Sequence, residues 1–397
     1  MRGNIPATGI AHQENLAGTA LSIALNATAM LSPLTGIGRY TAELANALAR
    51  MGVRIHYYAG KDWSDQPPQL APPLSGHVIR RLLHHLPGAR RMARHVQQVH
   101  FSRGVSERQP ALYHEPNYLA FRFSGPTVIT SHDASWVRYP EMHPLERVRI
   151  MNRLLPPALE HAQRVIVDSD FVAGEMHELF GVPYDRLRTV YLGVSPVFRP
   201  MAAADTMEVC RRFGIEHGNY ILAVGTLEPR KNLISLIRAF RALPPQLARQ
   251  YPLVIAGMRG WRHADTDQEI GALEKAGALR ILGHVAEADL PALYAAAGLF
   301  VYPSIYEGFG LPPLEAMAAG VPVVVADCAS LPEVVGDAGL RVAPHDIDAL
   351  AETLRSLLEN PAQRQAMSAA SIAQAQRFTW ENCARETLAV YREALAA

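Results

Sequence analysis

The stretch LFVYPSIYEGFGLPPLEAMAAGVPVVVAD, residues 299–327, runs from one apolar segment through a glycine- and proline-rich passage into a short helical pattern and a second apolar segment. Short apolar runs bounded by turn formers read as buried strands. Pro312 and Pro313 suit the first turn of a helix, and Gly320 suits its C-terminal cap. The order is therefore strand, loop, short helix, strand, the repeating unit of a parallel sheet. Within it, Glu307 and Glu315 stand eight positions apart and bracket two glycines and two prolines.

Outward from this unit the same alternation continues. In the second half of the chain YILAVGT, LVIAGM, RILGHV, LFVYPSI, VPVVVAD and LRVAP read as strands, separated by helical patterns such as NLISLIRAFRAL. In the first half LSIALNAT (21–28), RIHYYAG, ALYHEP, PTVITSHD and RVIVDSD do the same, with RYTAELANALARMG as a capped helix. Such alternation specifies α/β domains with parallel sheets and crossover helices, two Rossmann-like domains whose sheets face a central cleft. The segment LGVSPVFRPMAAADT, rich in proline, alanine and small residues, reads as a linker centred near Pro200. The expected division is a flexible N-terminal extension over 1–19, domains over 20–199 and 200–376, and a final helix within 377–397 that packs back across the cleft.

Composition fits this plan. With 397 residues, 49% hydrophobic and 19% charged, the chain can fill two cores. Cys210, Cys328 and Cys383 lie far apart with no C-x-x-C pair, which argues against a disulfide framework or a zinc site and fits a reducing cytoplasm. Neither a signal-peptide core nor a run of about 18 apolar residues is present, so neither secretion nor a membrane span is expected. The net charge of +1 hides an asymmetry: residues 1–200 carry 21 Lys and Arg against 15 Asp and Glu, and the remainder 17 against 22.

Much of that excess lies in HVIRRLLHHLPGARRMARHVQQVHFSR. Ile79, Leu82, Leu83 and Leu86 fall at helical spacing, and Met92, Val96 and Val99 continue the stripe after Pro87. Basic residues on the other faces, Arg80, Arg81, Arg90, Arg91 and Arg94 among them, form a pattern seen in helices on anionic membrane surfaces. An amphipathic helix packed on its own domain gives the same pattern, and both readings stand. No nucleic-acid partner is expected, and oligomeric state is not legible.

The passage between the two carboxylates has a chemical reading. Residues 308–311 precede a helix N-terminus, whose amides and dipole form a site for an anion such as phosphate. Glu315, taken as lying in the first turn, offers acceptors to a diol such as a ribose, and Glu307 can hold another hydroxylated ring. A preference of acidic residues for helix N-termini accounts for Glu315 but not for Glu307.

At this point the residues resemble a known family. The E-x7-E spacing, with GFG after the first glutamate and prolines before the second, is similar to the retaining family 4 glycosyltransferases of the two-Rossmann-domain (GT-B) type. Three further matches extend the resemblance over nearly the whole chain. AVGTLEPRKNL resembles the first strand and loop of the donor domain, which implies that Arg230 and Lys231 contact the donor diphosphate; the chain has only three lysines. LTGIGRYT resembles the glycine-rich loop after the first strand of the acceptor domain, where Gly36 and Gly38 admit the donor phosphate. Thr41 stands where a dinucleotide-binding fingerprint would want glycine, which disfavours a dehydrogenase. TSHDASW resembles the His-Asp strand end, which implies His132 near the reacting face of the sugar and Asp133 orienting its ring. EPNYLAF is similar to an acceptor-side loop. The donor-binding set implied by the resemblance also includes Gly225, Val285, Gly308, Phe309, Gly310, Leu311 and Glu315.

The resemblance implies a nucleotide-sugar donor, GDP-mannose first, and a lipid-linked glycan acceptor in lipopolysaccharide or exopolysaccharide assembly, with the enzyme cytoplasmic or peripheral on the inner face of the membrane. Another GDP-sugar, a UDP-sugar, a sugar-nucleotide epimerase of the same fold and a noncatalytic subunit remain as alternatives. Two D-x-D sequences, 168–170 and 265–267, match the metal signature of a different glycosyltransferase fold, but about one match is expected by chance at this composition. Arg230, Lys231 and the helix terminus supply positive charge, so no cofactor and no essential metal are expected. His132 acting as a general base in an inverting reaction is the competing chemistry.

Overall fold

The computed structural model describes residues 21–31, 36–68, 89–226, 228–258 and 264–397, with backbone alone at 89–91 and 264–268. The expected extension over 1–19 lies outside them. Packing divides the chain into two compact units, one reaching to His114 and taking in Phe121–Pro126, the other comprising Glu115–Ala120 and Thr127–Ala397.

The first unit holds strands β1 (Ser22–Asn26), β2 (Arg54–Ala59), β3 (Asp62–Ser64) and β4 (Leu112–Glu115) in the order β3-β2-β1-β4. β1 runs parallel to β2 and β4, and β3 returns antiparallel to β2 through a turn in which Gly60 has φ 71°. Helix Gly36–Arg50 buries Tyr40, Leu44 and Leu48. Helix Ala89–Arg108 docks through Phe101, which is fully buried against Tyr58, Trp63, Tyr113 and Phe121. A Cβ on Gly104 would lie 2.1 Å from the Trp63 indole nitrogen, so glycine is what lets this helix approach.

The stripe expected from the sequence does not make that contact. Met92 and Val99 remain 64% and 55% exposed, because the aromatic cluster engages the face that carries Phe101 and Gly104. The stripe members Ile79, Leu82, Leu83 and Leu86 lie outside the described residues. Among the described residues no helix is long and apolar enough to cross a membrane.

The second unit contains β5 (Thr127–Ser131), β6 (Arg164–Val167) and β7 (Leu187–Thr189), paired in parallel in that order. It also contains a six-stranded parallel sheet of β8 (Ile221–Val224), β9 (Leu253–Ala256), β10 (Leu279–Gly283), β11 (Leu299–Tyr302), β12 (Val323–Ala326) and β13 (Leu340–Val342), ordered β10-β9-β8-β11-β12-β13. Both halves of the chain are thus α/β with parallel sheets, as the alternating pattern specifies. β9, β11 and β12 are buried along their whole length, which is why they read as unbroken apolar runs rather than as alternating ones. Helix Leu233–Arg241 adds Leu236, Ile237 and Phe240 to the core over that sheet, and helix Ile347–Glu359 adds Leu350, Leu354 and Leu357.

The order β9-β8-β11 places sequence-distant strand ends side by side, so the loops after β8 and β11 become neighbours. Within the expected linker, Phe198 packs edge-on against Tyr294, and helix Ala203–Phe213 begins. The final helix, Trp380–Ala396, is capped by the Thr379 hydroxyl. It lies along β5 and β6, and its Glu393 takes Arg164 of β6 and Arg188 of β7 at 2.9 and 2.7 Å.

Candidate active site

The loop after β8 sets the first two charges. Gly225, at φ 146°, turns the chain out of the sheet, and Pro229–Lys231 forms one 3-10 turn ended by Asn232 in the left-handed region at φ 51°. The Asn232 side chain donates to Pro303 O at 3.2 Å and accepts from the Ser235 hydroxyl at 2.7 Å, which ties this turn to the end of β11. Arg230 O accepts from the Ile305 amide at 2.9 Å and from the Ser304 hydroxyl at 3.1 Å. Arg230 and Lys231 are thereby fixed beside the loop that carries Glu307.

Glu307 holds both cations. Its Oε1 lies 2.6 Å from Lys231 Nζ and accepts from the hydroxyls of Ser304 at 2.6 Å and Tyr302 at 3.0 Å. Its Oε2 lies 3.1 Å from Arg230 Nη1. Arg230 also meets Glu228 at 2.9 Å and donates to Tyr306 O at 2.6 Å. Burial works against the Glu307 charge, but Lys231 and Arg230, with the hydrogen bonds, outweigh it and hold the carboxyl down at about 2. Burial likewise opposes the Arg230 charge and is outweighed by Glu307 and Glu228, so its pKa rises. The sequence reading gave Arg230 and Lys231 to a phosphate and Glu307 to a sugar; here they form one ion cluster.

The loop beyond Glu307 turns its carbonyls away. Ser330 donates to Glu307 O at 2.9 Å and to Phe309 O at 2.7 Å, and Ser169 donates to Gly308 O at 2.7 Å. Among the described residues no acceptor meets the amides of Gly308, Phe309 or Gly310. Gly310, at φ 115°, precedes helix Leu311–Ala318, which has prolines in its first turn as expected. Glu315 is the fifth residue of that helix, so it lies in the second turn rather than the first, and it is buried. Phe309 is buried against Phe378, and Leu311 is part-exposed. A Cβ at Gly308 would sit 1.7 Å from His132 O, so this position excludes every side chain.

That contact brings the His132 segment to the Glu307 loop. β5 pairs with β6 with Ser131 opposite Val167, and the next residues, His132 and Asp168, meet at 2.7 Å through His132 Nδ1 and Asp168 Oδ2. His132 Nε2 lies 2.8 Å from Pro116 O. The imidazole is therefore oriented by Asp168, not by Asp133 as expected. Asp133 instead accepts from the amide and hydroxyl of Ser135 at 3.1 and 3.0 Å, capping the turn that follows. Tyr306 completes the junction: its hydroxyl accepts from the Ala134 amide at 2.8 Å and donates to Glu175 at 2.9 Å, and Arg138 bridges Glu175 and Glu178. Both nitrogens of His132 face oxygen acceptors. Burial lowers its pKa, but Asp168 and the Pro116 carbonyl prevail and raise it, so the geometry favours imidazolium.

His132, Asp133, Arg230, Lys231, Glu307 and Gly308 thus converge. Val285 is buried just beyond β10 and takes no part in these contacts. Gly36 and Gly38 belong to the first unit, where they occupy the first turn of helix Gly36–Arg50 rather than a loop before it. Of the basic residues proposed for a membrane, Arg80 and Arg81 lie outside the described residues, as do the side chains of Arg90 and Arg91. Arg94 stacks over Phe121 at 5.2 Å.

The first D-x-D is committed elsewhere. Asp168 holds His132, Ser169 caps helix Asp170–Phe180 by accepting from the Val172 amide, and Asp170 accepts from the Thr189 hydroxyl at 2.6 Å. In the second, the side chains of Asp265 and Asp267 lie outside the described residues. Among the described residues no group of three or more His, Cys, Asp or Glu is arranged to hold a metal.

Sequence reasoning missed Asp168, Tyr302, Ser304, Tyr306 and Ser330. Asp168 alone had a signal, since TSHD and VDSD close two successive strand runs.

Comparison with known proteins identifies the family and the fold. The family described as Glycosyltransferase Family 4 matches residues 34–198, and that described as Glycosyl transferases group 1 matches residues 211–374. O-antigen chain mannosyltransferase B of Escherichia coli is 39% identical over 368 residues, covering 91% of this chain and 96% of that protein. Sucrose-phosphate synthase from Thermosynechococcus elongatus superposes with a TM-score of 0.72 at 22% identity, over 95% of this chain and 99% of that one. HepE of Anabaena, solved with UDP-glucose, superposes with a TM-score of 0.68 at 21% identity, over 94% and 100%. The two structures speak to the fold, and the curated relative to the family. This chain belongs to the family 4 glycosyltransferases, hexosyltransferases of the GT-B fold.

Proposed function

We propose that the protein transfers mannose from GDP-mannose, with retention of configuration, onto a lipid-linked glycan in O-antigen assembly, without an essential metal. The donor and pathway rest on likeness to the O-antigen chain mannosyltransferase of E. coli. The observation that carries the chemistry is that Arg230 and Lys231 meet on the single carboxylate of Glu307, beside a loop whose carbonyls are turned away.

Glycosyl transfer places growing negative charge on the departing diphosphate and oxocarbenium character on the sugar. In this reading the diphosphate takes over Arg230 and Lys231, with the amides of Gly308 to Gly310 as further donors. Glu307, released in part from its cations, turns to a sugar hydroxyl. Glu315 takes the ribose. Retention is favoured over inversion because a general base needs a free lone pair, and both nitrogens of His132 are held by acceptors. His132 then contributes a positive, rigid ring near the reacting face.

Membrane association through the basic segment belongs to the same reading, supported by the exposure of Met92 and Val99. The test is a panel of nucleotide-sugars incubated with a lipid-linked mannosyl acceptor, reading released nucleotide, product mass and the anomeric proton. Transfer from GDP-mannose with an α-linked product supports the reading. Preference for a UDP-sugar, or a β-linked product, overturns it. Donor turnover with no acceptor points to the epimerase.

A further inference from the structure

Three successive carbonyls are held on the loop after Glu307. Ser330 donates to Glu307 O and Phe309 O, and Ser169 donates to Gly308 O. In a planar trans peptide the carbonyl of one residue and the amide of the next point in opposite directions. Holding these carbonyls therefore aims the amides of Gly308, Phe309 and Gly310, each away from the serine that grips its peptide.

The two serines stand on segments far apart in the chain. Ser169 follows β6 and caps helix Asp170–Phe180, and Ser330 follows β12 and immediately precedes helix Leu331–Val335. Glu333, in the second of these helices, joins them. Its Oε2 accepts from the Asp170 amide and its Oε1 from the Phe171 amide, both at 2.8 Å. These are the first two amides of helix Asp170–Phe180, which no carbonyl of the helix reaches, and the helix dipole favours a carboxylate there. Ser169 takes the third by accepting from the Val172 amide at 3.2 Å. Tyr191 adds a second link: its hydroxyl donates to Glu333 at 3.3 Å, and its ring centroid lies 6.1 Å from that of Phe309. The circuit closes: Glu333, the helix end, Ser169, the loop, Ser330 and back to Glu333.

We propose that Glu333 is a positioning residue for the donor diphosphate, acting through Ser169 and Ser330 to aim the amides of Gly308 to Gly310. This rests on the reading in which those amides meet the diphosphate. Glu333 itself touches no substrate.

The experiment compares wild type with Glu333→Gln, Ser169→Ala and the double variant. Glutamine keeps the length of the side chain but has one acceptor oxygen, so one of the two helix amides loses its partner. Measured are the transfer rate from GDP-mannose, and the affinities for GDP and for guanosine by calorimetry. Glu333→Gln should lower the rate by about tenfold and weaken GDP severalfold with guanosine affinity kept, since only the phosphates meet the loop. The double variant should lose less than the product of the single losses. Unchanged rate and GDP affinity, an equal loss for guanosine and GDP, or losses that multiply would each overturn the role of Glu333. A wild type that binds no GDP and transfers nothing from GDP-mannose would instead overturn the reading beneath it.

Discussion

Glu307 Oε1 and Lys231 Nζ lie 2.6 Å apart, so the group assigned to the sugar neutralises a group assigned to the phosphate. Any anion that binds Lys231 competes with that carboxylate. Glu307→Gln should therefore keep or tighten GDP affinity, measured by calorimetry, while turnover falls by roughly a hundredfold. Glu315→Ala should do the reverse and chiefly weaken nucleotide binding. Equal kinetics in both variants and wild type would remove the site assignment.

The same carboxyl makes stability depend on pH in a stated direction. Its folded pKa, about 2, is below the ordinary 4.5. Its contribution is then present above about pH 4.5 and is lost as pH falls toward 2. At pH 7 Glu307→Gln should lower unfolding stability by about 3 kcal/mol. Urea melts of both proteins between pH 7 and the acid limit should converge.

For His132 the sign is opposite. Its folded pKa is raised above 6.5, so its ion pair with Asp168 stabilises fully below that pH and less as pH rises through the folded value. Asp168→Asn should flatten this dependence. A titration of the His132 ring by NMR that gave an ordinary or lowered pKa would return it to the role of a base.

Gly308 tests the junction between the two segments. With 1.7 Å available between a Cβ and His132 O, Gly308→Ala must displace one of the two loops. Activity should fall about a hundredfold, as misplacement of reacting groups by an ångström commonly costs that much. Gly36→Ala, which meets nothing within 4 Å in the first unit, should be milder.

The strands were legible because a strand buried on both faces must be apolar throughout; VVVA and LVIA leave little else to be. β3 and β7 escaped because three residues each, DWS and LRT, carry no such run. Family likeness pointed to His132, Arg230, Lys231 and Glu307, but not to who touches whom. Lys231 and Glu307 are 76 positions apart and meet only because β8 lies beside β11, an order that hydrophobic pattern does not encode. Asp168 was weighed as a metal ligand, because TSHD and VDSD mark two strand ends but only the β5–β6 register sets His132 and Asp168 side by side. Ser169 and Ser330 bear the loop carbonyls, and single serines leave no periodic signature.

Vesicle binding examines helix Ala89–Arg108. Cosedimentation with anionic vesicles should weaken with salt, and glutamine at Arg80, Arg81, Arg90, Arg91 and Arg94 should reduce it. Met92→Glu with Val99→Glu should reduce it further, since these side chains are exposed. Unchanged binding in both variants would leave the stripe as ordinary surface.

The measurement that bears most directly on the central claim is the transfer rate of Lys231→Ala beside that of wild type treated with chelator. If Arg230 and Lys231 neutralise the leaving diphosphate, chelated wild type keeps most of its activity. Lys231→Ala then loses about a hundredfold or more, and Arg230→Ala together with Lys231→Ala falls short of additivity. Activity abolished by chelator and restored by manganese, with Lys231→Ala near wild type, would contradict the account.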